Sequence, residues 1–306
     1  MFEIVKNTKI NFLGLRKISY VLSAVLILMG IFGLFKIITG TANMGLDFTG
    51  GISVQVKFSK PMTSEKIREI LEKIGYKVYL QKVGAEADNI FLIRTTLKDI
   101  KSAYGSTEII NTLKKETQDN DIVVLEENVI GPVVSAQLKQ KALYAIFWAS
   151  IGILIYIWVR FQFKFAVSAT LATIHDVLVV LGIMVFLNKE IDLLVITALL
   201  TIAGYSLTDT VVVFDRIREN MRNILKESFE SIINRSLNEV LSRTLITSGT
   251  TLLVAISLYL FGGIILNNFS LAIVLGIIVG TYSSCFIASP IVFDWETHEK
   301  KQKVTK

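Results

Sequence analysis

An aspartate inside an apolar run is the first residue that calls for a chemical explanation. In "AGYSLTDTVVVFDRIREN", residues 203–220, Asp209 lies about six residues before the charged end of the run, or ~9 Å of helix at 1.5 Å per residue. A charge at the centre of a membrane helix costs about 2.5–3.5 kcal/mol on insertion scales, so an acid there needs a partner, water or a proton. Tyr205, Ser206, Thr208 and Thr210 surround it in sequence with hydroxyls. Hydrocarbon pulls a carboxyl group towards its neutral form and a nearby cation towards its charged form, and a group pulled both ways can load and release a proton. The candidate cation is Arg243, at the mouth of the next apolar run. From it Thr244, Thr247, Ser248 and Thr251 follow at spacings of three and four, one polar helix face. Two readings stand: a proton or ion relay through Asp209 and Arg243, or a structural ion pair with hydroxyls as interhelical glue.

His175 and Asp176 form a second polar pair, near the middle of "ATIHDVLVVLGI". Neighbours on a helix point about 100° apart, so they need not bond each other. They read either as a satisfied polar pair or as support for a relay, alongside Tyr205, Thr208 and Thr247. A metal centre is not expected, because the only other histidine, His298, lies in the tail. No GxxxxGK[ST] run is present for a nucleotide, and the polar segment before residue 142 has no His or Cys. We therefore expect no cofactor and no enzymatic activity.

The elements that must position these groups are membrane helices. Of 306 residues, 52% are hydrophobic and 19% charged, below the roughly 25% charged of an average soluble domain. Apolar runs fall at about 18–38, 142–159, 165–187, 191–214, 244–266 and 269–293, each near the ~20 residues that cross a bilayer. The first reads as an uncleaved anchor, being long and without a small-residue cleavage pattern. Lys and Arg gather in the arm 1–17, in "RFQFK", in the segment 215–243 and in the tail 294–306. The positive-inside rule then puts both termini on the cytoplasmic side. It also accounts for the net charge of +6 without nucleic acid. Segment 215–243 mixes Arg and Glu with Ile, Phe and Leu, and is expected as an amphipathic connector at the cytoplasmic interface. Cys285 is the only cysteine, so no intrachain disulfide forms.

Residues 39–141 read as an extracytoplasmic α+β domain. "GISVQVKF" alternates with a period of two, and "TSEKIREILEKIG" has a cap signal and a terminal glycine. "YKVYLQKV" and "NIFLIRTT" flank the turn "GAEADN" as a hairpin, "TEIINTLKKET" is a helix and "DIVVLEENVI" a last strand. This βαββαβ order predicts a ferredoxin-like sandwich. In the last apolar run Ala272, Gly276, Gly280, Ser284 and Ala288 recur every four residues, a seam for close helix packing inside the bundle or against a partner.

Taken together, these stretches resemble the SecD/SecF family of protein-export membrane proteins, within the RND-type superfamily. The resemblance is carried by "GLDFTGG" (45–51), "IGPVVSAQL" (130–138), "RFQFKFAVSATLATIHDVLVVLGI" (160–183), "AGYSLTDTVVVFDRIREN" (203–220) and "INRSLNEVLSRTLITS" (233–248). It covers nearly the whole chain and is closest to the SecF branch. Departures are small: Thr208 where the family usually has Asn, Ser135 where it has Gly, and Glu239–Val240 where Gln–Thr is commoner. The resemblance implies six transmembrane helices, an RND-type half, in the cytoplasmic (inner) membrane. It implies SecD as partner in a twelve-span unit, the SecYEG channel and associated Sec factors, an exported polypeptide in transit, and protons that drive the pulling. By position, Asp209 becomes the proton-carrying carboxylate and Arg243 its basic partner. Gly45, Asp47, Gly50 and Gly51, with Gly131 and Pro132, become the hinge of the outer domain. The alternatives are half of a proton-coupled small-molecule exporter, or a structural scaffold for the channel.

Overall fold

A computed structural model describes residues 8–84, 88–96, 105–117, 120–223 and 227–304. Elements follow in the order α1 (Arg16–Ile38), α2 (Leu46–Thr49), β1 (Gly51–Phe58), α3 (Ser64–Lys73), β2 (Tyr79–Val83), β3 (Ile90–Thr96), α4 (Gly105–Glu116), β4 (Ile122–Ile130), α5 (Pro132–Arg160), α6 (Phe163–Phe186), α7 (Leu193–Asn220), α8 (Phe229–Phe261), α9 (Gly263–Ser283), a π-helical stretch Ser284–Ala288, and α10 (Ser289–Val304). Two compact units result, one within Met44–Tyr144 and a helical unit from the rest.

In the first unit the sheet order is β2-β3-β1-β4, antiparallel throughout. With α3 and α4 between the strands, this is the expected ferredoxin-like arrangement. The period of two puts Ile52, Val54, Val56 and Phe58 on the buried face of β1, against Ile67, Ile70 and Leu71 of α3 and Ile109 and Leu113 of α4. Thr63 caps α3 by accepting from the Lys66 amide, and Gly75, at φ +81°, follows its end. Tyr76 is fully buried and donates its hydroxyl to Glu108 Oε2 at 2.7 Å, tying the approach to β2 to α4. The strand before the hairpin is shorter than expected, and the middle of the turn, 85–87, lies outside the described residues.

Among the described residues six helical stretches are long and apolar enough to cross a membrane, as expected. In the helical unit α6, α7 and α9 are the buried helices, while α1, α5 and α8 expose residues such as Val25, Phe32, Trp148, Val159, Leu253 and Phe261. A Cβ on Gly30 would sit 2.6 Å from the Leu178 carbonyl, and one on Gly182 would sit 2.7 Å from Gly30 Cα. These glycines let α1 and α6 touch backbone to backbone. Ser23 meets His175 and Gly30 meets Gly182, so α1 and α6 run in the same direction, as first and third spans of a bundle must.

The segment 215–243 differs from its expected form. It is not a separate interfacial connector: α7 runs on to Asn220 and α8 starts at Phe229. Ser228 caps α8 by accepting from the Ser231 amide. The apolar face that suggested a lipid surface, Phe229, Ile232, Ile233, Leu237 and Val240, is buried, chiefly in the bundle's own core with Phe214 and Ile217. Phe12 and Leu13 pack into the same core, and Asn234 and Asn238 hold the backbone of Leu13 and Ile10.

Candidate functional site

Asp209 is 7% exposed and bonds to α8. Its Oδ2 accepts from Ser248 Oγ at 3.1 Å. Thr281 Oγ1 lies 2.9 Å from Ser248 Oγ and 2.8 Å from the Ile277 carbonyl, two acceptors for one proton. A carboxylate, two hydroxyls and a backbone carbonyl thus form a short line from α7 through α8 to α9. Chemically the line can hold the acid in either protonation state, because Thr281 turns from one acceptor to the other without losing a bond.

Arg243 is placed differently from the ion pair the sequence offered. It is exposed on α8, and among the described residues it forms no ion pair with Asp209. Its charge reaches Asp209 only through space. The hydroxyl stripe splits for a geometric reason, since residues three apart diverge by about 60° on a helix. Thr244 and Ser248 are buried, whereas Thr247 is exposed and bonds its own helix at the carbonyls of Arg243 and Thr244. Thr208 is exposed as well, bonded to the Gly204 carbonyl. The hydroxyls of Tyr205 and Thr244 are buried without a hydrogen-bond partner among the described residues.

His175 and Asp176 do bond each other, Nδ1 to Oδ1 at 2.8 Å, although they are adjacent on α6. They are 3% and 0% exposed. Asp176 Oδ2 accepts from Ser206 Oγ of α7 and, at 2.7 Å, from Ser283 Oγ of α9. His175 Nε2 lies 3.1 Å from Ser23 Oγ of α1. The pair therefore joins four helices. The small-residue seam lies inside the bundle: Ile202 fills the place of a Gly276 side chain, Ser206 Cβ stands 2.9 Å from where a Cβ on Gly280 would be, and Thr210 bonds Ser284 at 2.9 Å. Among the described residues no group of three or more His, Cys, Asp and Glu gathers for a metal.

Residues 109–298 match the family described as "Protein export membrane protein SecD/SecF, C-terminal", and residues 37–62 match the "SecD/SecF GG Motif". This chain belongs to the SecD/SecF family. It is 47% identical over 295 residues to the protein translocase subunit SecF of Thermodesulfovibrio yellowstonii, covering 95% of this chain and 96% of that one. It is 42% identical to the SecF of Calditerrivibrio nitroreducens, with the same coverage. Its structure is similar to that of SecDF, a translocon-associated membrane protein from Thermus thermophilus, with a TM-score of 0.81 and 32% identity. The match covers 95% of this chain and 39% of that chain. A SecDF structure in a super-membrane-facing form matches with a TM-score of 0.71 and 32% identity, over all of this chain and 41% of that one.

The SecD/SecF glycine motif has a definite geometry here. Gly45 precedes the short helix α2, and Asp47 lies in its first turn. Gly50 has φ +64° and Gly51 φ +145°, backbone that side chains rarely adopt. A Cβ on Gly51 would run into the Thr95 carbonyl and stand 2.8 Å from Leu46 Cδ2. Gly51 is buried and pairs with both Thr96 and Ile130, so close approach requires glycine here, not looseness. Gly131 has open space around it, and Pro132 starts α5, where a missing N–H is harmless. Ser23, Thr281, Tyr282 and Ser283 were not anticipated as site residues. The run "TYSS" at 281–284, three hydroxyls and a phenol inside an apolar span, was the available signal.

Proposed function

We propose that this chain is the SecF-type subunit of a Sec protein translocase. It works with a SecD-type half and uses the proton-motive force to pull exported polypeptide across the cytoplasmic membrane. The observation that carries the proton role is Asp209, a buried carboxyl group held by one hydroxyl and with no direct ion pair among the described residues. An acid whose charge is only lightly compensated binds a proton and releases it without breaking a salt bridge.

Two features support the rest of this reading. Arg16 and Asp294, Lys164 and Glu296, and Arg160 and Asp215 meet at one end of the bundle, which the positive-inside rule makes cytoplasmic. The sheet unit then belongs on the outer side, with SecYEG and the polypeptide as partners. On α7, Thr197, Thr201, Gly204 and Thr208 form an exposed polar stripe, and α8 exposes Arg243 and Thr247. Small polar residues facing outward from a span favour a second helical half as their cover over lipid. Protonation of Asp209 is expected to alter the α7–α8 spacing, a change that shifts the protein only if its two states differ in proton affinity.

The test is Asp209→Asn in vesicles that also contain the SecD partner, with proton conductance and preprotein export both measured. Loss of both is expected. Unchanged activity in both would remove the proton role, and full export without any gradient would leave a scaffold.

A further inference from the structure

Asp176 is the one fully buried acid among the described residues, and it stands apart from the Asp209 line. Hydrogen-bond roles around it follow from counting protons. Tyr282 has one hydroxyl proton, directed at the Ser19 carbonyl 3.0 Å away. In its 3.2 Å contact with Ser23, Tyr282 is therefore the acceptor and Ser23 the donor. With its only proton used, Ser23 Oγ accepts at 3.1 Å from His175 Nε2, which must carry a hydrogen. On the other side, Asp176 Oδ2 receives the hydroxyls of Ser206 and Ser283. The 2.8 Å contact between Asp176 Oδ1 and His175 Nδ1 then needs one hydrogen, which either atom can hold. With the hydrogen on Nε2 the pair holds two hydrogens and is neutral overall, either as imidazolium and carboxylate or as imidazole and carboxylic acid.

We propose that His175 and Asp176 form a proton-binding site of their own, whose proton decides whether Tyr282 ties α9 to the backbone of α1. The inference stands whether or not Asp209 carries protons. While the proton is held, the pair is neutral overall, which is the tolerable way to bury two ionisable groups. The proton also has two resting places within the pair. When the Nδ1–H bond breaks and an O–H bond forms on Oδ1, imidazolium and carboxylate become imidazole and carboxylic acid, with no net charge moved out. Ser283 accommodates this, because its hydroxyl also lies 3.1 Å from the Gly280 carbonyl.

Release of the Nε2 proton to water reverses the chain. Nε2 becomes an acceptor, Ser23 turns to donate to it, and Tyr282 turns from the Ser19 carbonyl to Ser23. The hydroxyl tie between α9 and the α1 backbone is then lost. The groups facing the pair are Ser19 and Ser23 of α1, Ser206 of α7 with Asp209 one turn on, and Tyr282 and Ser283 of α9 with Cys285 beyond. No Lys or Arg forms an ion pair with either group among the described residues.

The chain has two histidines, so nitrogen-15 labelling of histidine in the full chain, held in lipid nanodiscs, gives two ring systems. His298→Gln leaves the signals of His175 alone. A hydrogen on Nε2 is expected, together with a second one shared between Nδ1 and Asp176. Ser23→Ala should speed exchange of the Nε2 hydrogen, and Asp176→Asn should abolish the Nδ1 signal. Should Asp176→Asn fail to fold, Ser283→Ala must still shift the Nδ1 signal. Asp209→Asn should leave both hydrogens in place. An Nε2 that carries no hydrogen in the wild type would overturn the proposal, as would loss of either hydrogen in Asp209→Asn.

Discussion

Replacing Gly182 by alanine tests how α1 is held against the bundle. The new methyl carbon would stand 2.7 Å from Gly30 N and Cα and 2.8 Å from the Met29 carbonyl carbon. Those atoms are backbone and cannot rotate away. Carbon atoms rest at about 3.5–4.0 Å, so relief requires α1 to retreat by ~0.8 Å or more. The Ser23–His175 distance of 3.1 Å would then approach ~3.9 Å, too long for a hydrogen bond. Overpacking of this kind costs about 1–3 kcal/mol, or roughly 5- to 150-fold in the folded population. Gly152→Ala is the built-in control: nothing lies within 4 Å of its Cβ position, and alanine gains up to ~1 kcal/mol in a helix interior. Thermal unfolding of both variants in nanodiscs should give a lowered midpoint for Gly182→Ala and an equal or raised one for Gly152→Ala. The His175 ring signals should change only in the former. Equal stability of the two variants would refute the account of α1 docking through glycine.

Two further outcomes follow from the same geometry. Ser248→Ala removes the hydroxyl that donates to Asp209 and leaves Thr281 bonded to the Ile277 carbonyl, so the fold should survive while proton turnover in vesicles falls several-fold; turnover equal to wild type would show that the hydroxyl line is idle. Gly51→Ala combines a positive φ with a collision at the Thr95 carbonyl, a loss of at least ~1 kcal/mol in the sheet unit, and should appear as faster cleavage of residues 44–131 in limited proteolysis of the full chain.

Much of this architecture is legible in the sequence, for reasons that particular residues make plain. The alternation through Ile52, Val54 and Val56 specifies a half-buried strand, and "GLDFTGG" and "AGYSLTDTVVVFDRIREN" carry the family. Hydropathy finds the spans because lipid tolerates little else there. Which way each side chain points is another matter. Thr247 and Ser248 are neighbours in one stripe, yet one faces outward and the other faces Asp209. Beyond His175, the partners of Asp176 come from two other helices, information that no local spacing contains. The amphipathic face of 229–240 was visible, but periodicity cannot distinguish a lipid surface from the protein's own core.

The π-helical stretch at Ser284–Ala288 keeps the end of the last span's small-residue stripe inside the bundle. On an ordinary α-helix, positions four apart advance by about 40° each step, so a stripe from Ala272 to Ala288 would wander ~160° around the axis and leave the bundle. All five residues are nonetheless buried. The wider turn from Ser284 to Ala288 winds more slowly, so Ala288 steps back under the core instead of advancing further. The last span is thus wound at two rates, and one inserted or deleted residue there would rotate Phe293 and Asp294 off their partners Phe229, Tyr20 and Arg16.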